Sequence, residues 1–234
     1  MKLLVDVGNS RVKWMATERG AIQARGAFAH AGHDPAGWGD WLWRALPPPA
    51  LMVVASVAGD AVEAALKDWA LRVWGLQAYF ARSEAQAFGI VNGYDNPRQL
   101  GVDRWVKLIA ARSLGQRDYV VVSAGTAVTL NALRRDGRFL GGVILPGIEL
   151  MSQALFRNTQ QIGYASAGET TTVLATNTRD AVWSGAIRAW PRPSTGSRAT
   201  WRKSWTAECK ESLPAAPLPP YCPTSNTAIA TNPI

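Results

Sequence analysis

Asp6 closes a short apolar run, and Gly8, Asn9 and Ser10 follow it before a second β-prone run that carries Lys13. The segment Val122-Ser-Ala-Gly-Thr-Ala-Val-Thr129 repeats that plan, with Ser123, Gly125 and Thr126 aligned on Asp6, Gly8 and Asn9. Each segment reads as a strand, a glycine turn and a second strand. A hairpin tip built on glycine and small polar residues can bring backbone N–H groups close to a phosphate, because glycine adds no side-chain bulk. A carboxylate at the end of the first strand can hold a hydrated Mg²⁺ beside that phosphate. Two such hairpins in one chain point to a duplicated fold that grips a nucleotide from both sides, and so to phosphoryl transfer. That chemistry needs charge neutralisation, in-line positioning and a proton acceptor for the attacking hydroxyl. Asp6 is the candidate Mg²⁺ anchor. Gly8, Asn9 and Ser10 would wrap the phosphates, and Lys13 would add positive charge. Taken alone, Asp6 reads as readily as a turn-capping carboxylate.

Asp103 and Arg104 follow Gly101 where a helix begins. A carboxylate there can accept a proton from a primary alcohol, and the neighbouring Arg can grip a substrate carboxylate with two hydrogen bonds. An acid in a first helical turn followed by a solvated Arg is also a common helix-start pattern. Thr178 precedes a helix and reads equally well as its cap. His30 and His33 have no third ligand nearby in sequence, so they read as surface residues rather than a metal site. Trp38, Trp41 and Trp43 read as packing residues of a helix or an edge.

The elements that must position these groups follow from periodicity. Residues 2–7, 11–17 and 21–28 read as an antiparallel meander of three strands. Residues 35–45 read as helical, stopped by Pro47-Pro48-Pro49. Strands are expected at 51–57 and 76–81, with a helix over 61–73 on the spacing of Val62, Ala65, Leu66, Trp69 and Val73. Residues 88–98 read as a loop and 99–114 as a helix. A second meander is expected at 118–124, 127–134 and 138–144. A helix follows from Pro146-Gly147 toward Phe156, then a polar loop over 157–177 and a last helix from Thr178 to Trp190. This divides the chain into a first domain over 1–116, a second over 117–190, and a tail over 191–234.

That tail holds 8 of the 14 prolines in 44 residues and shows no periodic pattern. Its composition fits either a disordered extension or a frame-altered continuation of the fold. The net charge of +8 is spread out, with +3 of it in the tail and no block of like charges elsewhere. That distribution argues against specific nucleic-acid binding. The start Met-Lys-Leu-Leu-Val meets Asp6 before a signal-peptide core could form. No apolar run approaches the roughly 18 residues needed to cross a bilayer. Cys209 and Cys222 are the two cysteines, and both lie in the tail. A cytoplasmic location with no membrane partner is expected.

Five motifs occur in order: Asp6-Val-Gly-Asn-Ser-Arg-Val-Lys13, Tyr94-Asp-Asn-Pro-Arg-Gln-Leu-Gly-Val-Asp-Arg104, Ala124-Gly-Thr-Ala-Val-Thr129, Gly141-Gly-Val-Ile-Leu-Pro-Gly147 and Asn177-Thr178. Over residues 1–190 this order resembles type III pantothenate kinase, the family that includes Bvg accessory factors. The resemblance implies an α/β fold of two duplicated ribonuclease-H-like domains, as in the actin, sugar-kinase and acetate-kinase superfamily, with the second domain incomplete here. It implies a homodimer that uses ATP and Mg²⁺ to phosphorylate pantothenate to 4′-phosphopantothenate, the first step of coenzyme A biosynthesis. Asp103 would then be the catalytic base. Tyr94, Gly101, Val102, Asp103, Arg104 and Thr178 would contact pantothenate. Asp6, Val7, Gly8, Asn9, Ser10, Arg11, Val12, Lys13 and Thr126 would form the nucleotide site, with Asp6 on the metal. Ser123 stands where the family usually carries an Asp that helps hold potassium or ammonium. A hydroxyl supplies no negative charge, so activation by a monovalent cation is expected to be weak or absent. The alternative is an inactive, truncated or regulatory relative, favoured by Ser123 and by the tail.

Overall fold

A computed structural model describes residues 1–163, 173–189 and 227–231. Its chain divides into two compact units: residues 1–115 with 137–139, and residues 116–136 with 140–234.

The first unit opens with β1 (Lys2–Val7), β2 (Arg11–Glu18) and β3 (Ala21–Ala29). Alternation along β1 turns Leu3, Val5 and Val7 into the core and leaves Asp6 on the other face. A 3-10 turn at Pro35–Gly37, started by the Asp34 side chain, leads into the short helix α1 (Trp38–Leu42). The helix expected over 35–45 is therefore shorter, because Pro35 and the Asp34 cap favour a tight turn first. Next come β4 (Leu51–Ser56), α2 (Asp60–Trp74) and β5 (Tyr79–Phe80). Val62, Leu66, Trp69 and Ala70 form the buried stripe of α2. Gly75 ends the helix in the left-handed conformation, and its N–H returns to the carbonyls of Ala70 and Leu71.

The sheet order is β3-β2-β1-β4-β5, with β1 antiparallel to β2 and parallel to β4. This mixed α/β arrangement is the one expected of a ribonuclease-H-like domain. Trp38, Trp43 and Trp69 are fully buried, and a Cβ at Gly39 would run into the Trp69 indole. Trp41 stays exposed. Trp38 and Trp43 thus pack the core as expected, with Trp69 held further by its Nε1–H bond to Asp40 at 3.1 Å.

The stretch expected to be a loop after residue 87 contains part of a small hairpin, β6 (Gln86–Ala87) with β7 (Ile90–Val91). Phe88 and Gly89 both take positive φ at its tip, the turn that joins two-residue hairpins. Phe88 concealed the turn because an aromatic residue is rare in that conformation. A second 3-10 turn, Pro97–Gln99, precedes α3 (Val102–Ser113). The helix starts three residues later than expected, since Leu100 and Gly101 are extended.

The second unit repeats the meander with β8 (Tyr119–Ala124), β9 (Ala127–Leu133) and β10 (Phe139–Pro146), whose first residue, Phe139, belongs to the first unit. It continues with α4 (Ile148–Asn158) and α5 (Thr178–Ala189), which pack on each other. Its sheet order is β10-β9-β8-β11. Strand β11 (Thr227–Thr231) comes from the tail and runs antiparallel to β8, pairing Thr227 with Ser123. The rest of the tail lies outside the described residues, as do residues 164–172 of the loop expected over 157–177.

Candidate active site

The first glycine turn is a four-residue loop. Ladder pairing of β1 and β2 ends at Val7 and Val12, and the Gly8 N–H donates to the Arg11 carbonyl at 2.9 Å. Val7 and Val12 are fully buried, so they can offer a ligand only backbone atoms, while Asn9, Ser10 and Arg11 are exposed. Gly8 does not need to be glycine for the fold. Its φ is not in the left-handed region, and a Cβ there would meet only the Arg11 carbonyl, at an ordinary 3.4 Å. A glycine the folded chain does not require fits a place where something else must come close.

Asp6 pairs directly across the ladder with Lys13. Burial pushes the Asp6 carboxyl above its usual range, with the nearby charges of Lys107 and Lys13 pulling it back and Asp103 adding to the rise. Burial likewise pulls the Lys13 ammonium below its usual range, opposed by Asp6. The end of β1 and the first turns of α3 therefore share one cluster of charge in the first unit. Asp103 sits in the first turn of α3, where the helix dipole favours an acid. A Cβ at Gly101 would lie 2.7 Å from Asp103 Oδ1, so the glycine leaves room for that carboxylate. Lys107, one turn on, reaches Asp103 Oδ2 at 3.3 Å.

Arg104 is buried on the same helix, and its Nη1 donates to the Tyr94 hydroxyl at 2.7 Å. Its guanidinium also lies 5.5 Å from the Tyr94 ring centre and 6.0 Å from that of Phe139, which stack at 5.7 Å. Asn92 organises the approach to Tyr94. Its buried side-chain amide donates to the carbonyls of Glu84 and Pro97, and its oxygen accepts from the Tyr94 N–H. Val102 is buried beside Trp105 and Leu108 on the inner face of α3. The structure thus joins Asp6, Lys13 and Asp103 in one cluster, and pairs Tyr94 with Arg104, which follows Asp103 on α3.

Thr126, Ser123 and Thr178 belong to the second unit. Ser123 is buried near the end of β8, paired with Thr129, and Thr126 is exposed in a three-residue turn closed by Gly125 N–H to the Ala127 carbonyl at 3.1 Å. Gly147, at the start of α4, packs on that turn and donates to the Thr126 carbonyl at 2.9 Å. A Cβ at Gly147 would collide with the Gly125 and Thr126 carbonyls. Thr178 is exposed as the first residue of α5. The cap is Asn177, whose Oδ1 accepts from the Asp180 N–H at 2.9 Å. The capping alternative for Thr178 therefore falls, because the helix begins one residue earlier than that reading needs.

Three contributors escaped the sequence reading. His30 is not a bare surface residue: its Nε2 bonds the Gly8 carbonyl at 2.8 Å, and its own N–H donates to the Ser10 carbonyl at 3.2 Å. Its ring rests on Trp38, 4.9 Å between centres. His33 is exposed beside Trp41, as expected of a surface residue. Asn92 carried no signal beyond its place in a polar loop. Lys107 could have been found from its i,i+4 spacing to Asp103.

Among the described residues no three His, Cys, Asp or Glu side chains are grouped to cage a metal. Mg²⁺ in phosphoryl-transfer sites is commonly held by one or two carboxylates plus substrate phosphates and water. Asp6 beside a glycine turn fits that mode.

Residues 2–191 match the family profile described as type III pantothenate kinase. The chain belongs to that family. It is 42% identical over 170 residues to the type III pantothenate kinase of Paraburkholderia phymatum, covering 68% of this chain and 59% of the relative. It is 42% identical over 189 residues to that of Aromatoleum aromaticum, covering 81% and 76%. With the Burkholderia vietnamiensis relative it shares 44% over 163 residues, 68% of this chain and 61% of the other. The chain therefore spans about three-fifths of the length of two of these type III pantothenate kinases. No helix among the described residues is long and apolar enough to cross a membrane.

Proposed function

We propose that this chain transfers the γ-phosphoryl group of ATP to the primary hydroxyl of pantothenate, giving 4′-phosphopantothenate and ADP. The observation that carries this reading is the cluster of Asp6, Lys13 and Asp103 on β1, β2 and α3, next to the Tyr94–Arg104 pair. Asp103 accepts the hydroxyl proton as the alcohol oxygen bonds to the γ-phosphorus. The bond from that phosphorus to the ADP oxygen then breaks, and ADP leaves. Arg104 holds the pantothenate carboxylate, and its bond to Tyr94 fixes the fork in one orientation. Gly101 and Val102 supply the backbone wall beside them.

Asp6 holds Mg²⁺, which neutralises phosphate charge when bound. The segment Asp6–Lys13 contributes backbone N–H groups from the turn and the Lys13 charge. In this reading Thr126 contacts ATP and Thr178 contacts pantothenate. Ser123 replaces a charged residue, so turnover in potassium and in sodium buffers is equal. The working protein is a cytoplasmic homodimer in this reading.

The test is ATP-dependent phosphorylation of pantothenate by the purified chain with Mg²⁺, beside an Asp103→Asn control. Activity that falls by about 10²–10⁴-fold in the control supports the reading. A folded chain with no activity supports the second reading, a non-catalytic relative. Ser123, a neutral residue where the family usually carries an Asp, favours that alternative.

A further inference from the structure

Lys107 belongs to none of the five motifs, yet it stands in the middle of the cluster. Its Nζ lies 3.3 Å from Asp103 Oδ2, and the two side chains are only 21% and 28% exposed. Its charge also reaches β1 and β2, where it favours ionised Asp6 and disfavours charged Lys13. Two carboxylates and two ammonium groups on β1, β2 and α3 therefore share one cluster, and their charges cancel. Asp6 already has Lys13 directly across the ladder. A second cation near the same carboxylate repels any divalent ion that arrives there, and offsets the mutual repulsion of the two carboxylates until it does.

We infer that Lys107 is a positioning residue, a built-in counter-ion that orients the Asp103 carboxylate and sets the concentration of divalent cation at which Asp6 becomes loaded. This rests on the proposed reading of Asp6 as the metal anchor. Its signature is a pair of opposite effects. Removing the charge tightens metal binding, because repulsion is relieved, and slows turnover, because Asp103 loses the partner that orients it. A residue that only supported the fold would weaken both.

The experiment titrates Mn²⁺ alone into the full chain and reads free Mn²⁺ by electron paramagnetic resonance, for wild type, Lys107→Met, Lys107→Gln, Lys107→Arg and Asp6→Asn. The two neutral variants are expected to bind Mn²⁺ on the order of three- to thirtyfold more tightly, the effect of deleting one charge near a divalent ion. Lys107→Arg should bind as wild type, and Asp6→Asn should lose the site. In turnover assays the neutral variants should reach half-maximal rate at lower Mg²⁺ with kcat reduced by about tenfold. Unchanged or weaker Mn²⁺ binding in both neutral variants overturns the inference. Unchanged Mn²⁺ binding together with weaker ATP binding overturns it too, and makes Lys107 a phosphate ligand. If Asp6→Asn binds Mn²⁺ like wild type, the metal-anchor reading fails first and takes the inference with it.

Discussion

The two glycine hairpins share a plan and differ in charge. In each, the next-to-last residue of the first strand sits one place before the last ladder pair: Asp6 in β1 and Ser123 in β8. Asp6 faces Lys13, and Ser123 faces Thr129. The first turn is four residues long and is tied by His30; the second is three residues long and is buttressed by Gly147. Beyond the meander the sheets also diverge, since β1 is joined by the parallel β4 and β8 by the antiparallel β11. A duplicated scaffold can thus keep backbone geometry at both ends while placing ionic chemistry at one. The first hairpin carries a half-buried carboxylate beside its turn, and the second offers neutral hydrogen-bonding groups there.

The sharpest way to break that contrast is to neutralise each end in turn. Asp6→Asn should lower Mg²⁺-dependent kcat by about a thousandfold, since a metal-held charge supplies several kcal/mol to the transition state. Ser123→Ala should cost less than about tenfold, the scale of one neutral hydrogen bond. Equal losses would mean that both hairpins carry the same chemistry.

The glycines test whether both turns approach phosphate. Neither Gly8 nor Gly125 is demanded by the fold, because a Cβ would meet only a carbonyl at 3.4 Å or 3.8 Å. Gly8→Ala should therefore leave the melting temperature unchanged and raise KM for ATP about tenfold or more, as overpacking does at a close contact. If Gly125→Ala does the same, the second turn shares the load. Gly147→Ala behaves differently, because its Cβ strikes backbone that cannot swing aside. It should lower stability by about 1–3 kcal/mol in a denaturant titration. His30→Ala removes one bond to the Gly8 carbonyl and should raise KM for ATP by about fivefold with little change in kcat.

The smallest effect is a pH dependence of stability. Burial raises the Asp6 pKa in the folded state, so the folded chain is penalised for ionising it. The associated stability is present in acid, below the carboxyl's ordinary unfolded pKa, and is lost as pH rises through the folded value. Asp6→Asn should therefore raise the melting temperature at neutral pH. That gain should shrink as the pH is lowered into the usual carboxylate range. No such dependence is expected of Ser123→Ala, which removes no charge.

The amino-acid sequence alone determined the elements and the chemical types of the main site. Alternation in β1 and β8, the glycine turns and the apolar stripe of α2 are local properties, so they were legible without a fold. The repeated hairpin and the Tyr94–Arg104 motif were legible for the same reason. The extent of α1, the β6–β7 hairpin and the start of α3 were not, because Pro35, Phe88 and Gly101 act through backbone conformations that periodicity does not register. Only the tertiary structure decided which charges meet. Asp6 and Asp103 are 97 residues apart in the chain, and nothing in either segment says that β1 and α3 bring them into one electrostatic cluster. The same holds for His30, whose bond to the Gly8 carbonyl depends on β3 folding back along β2. Coulomb energies and hydrogen bonds depend on distance in space, and the packing of the sheet sets that distance.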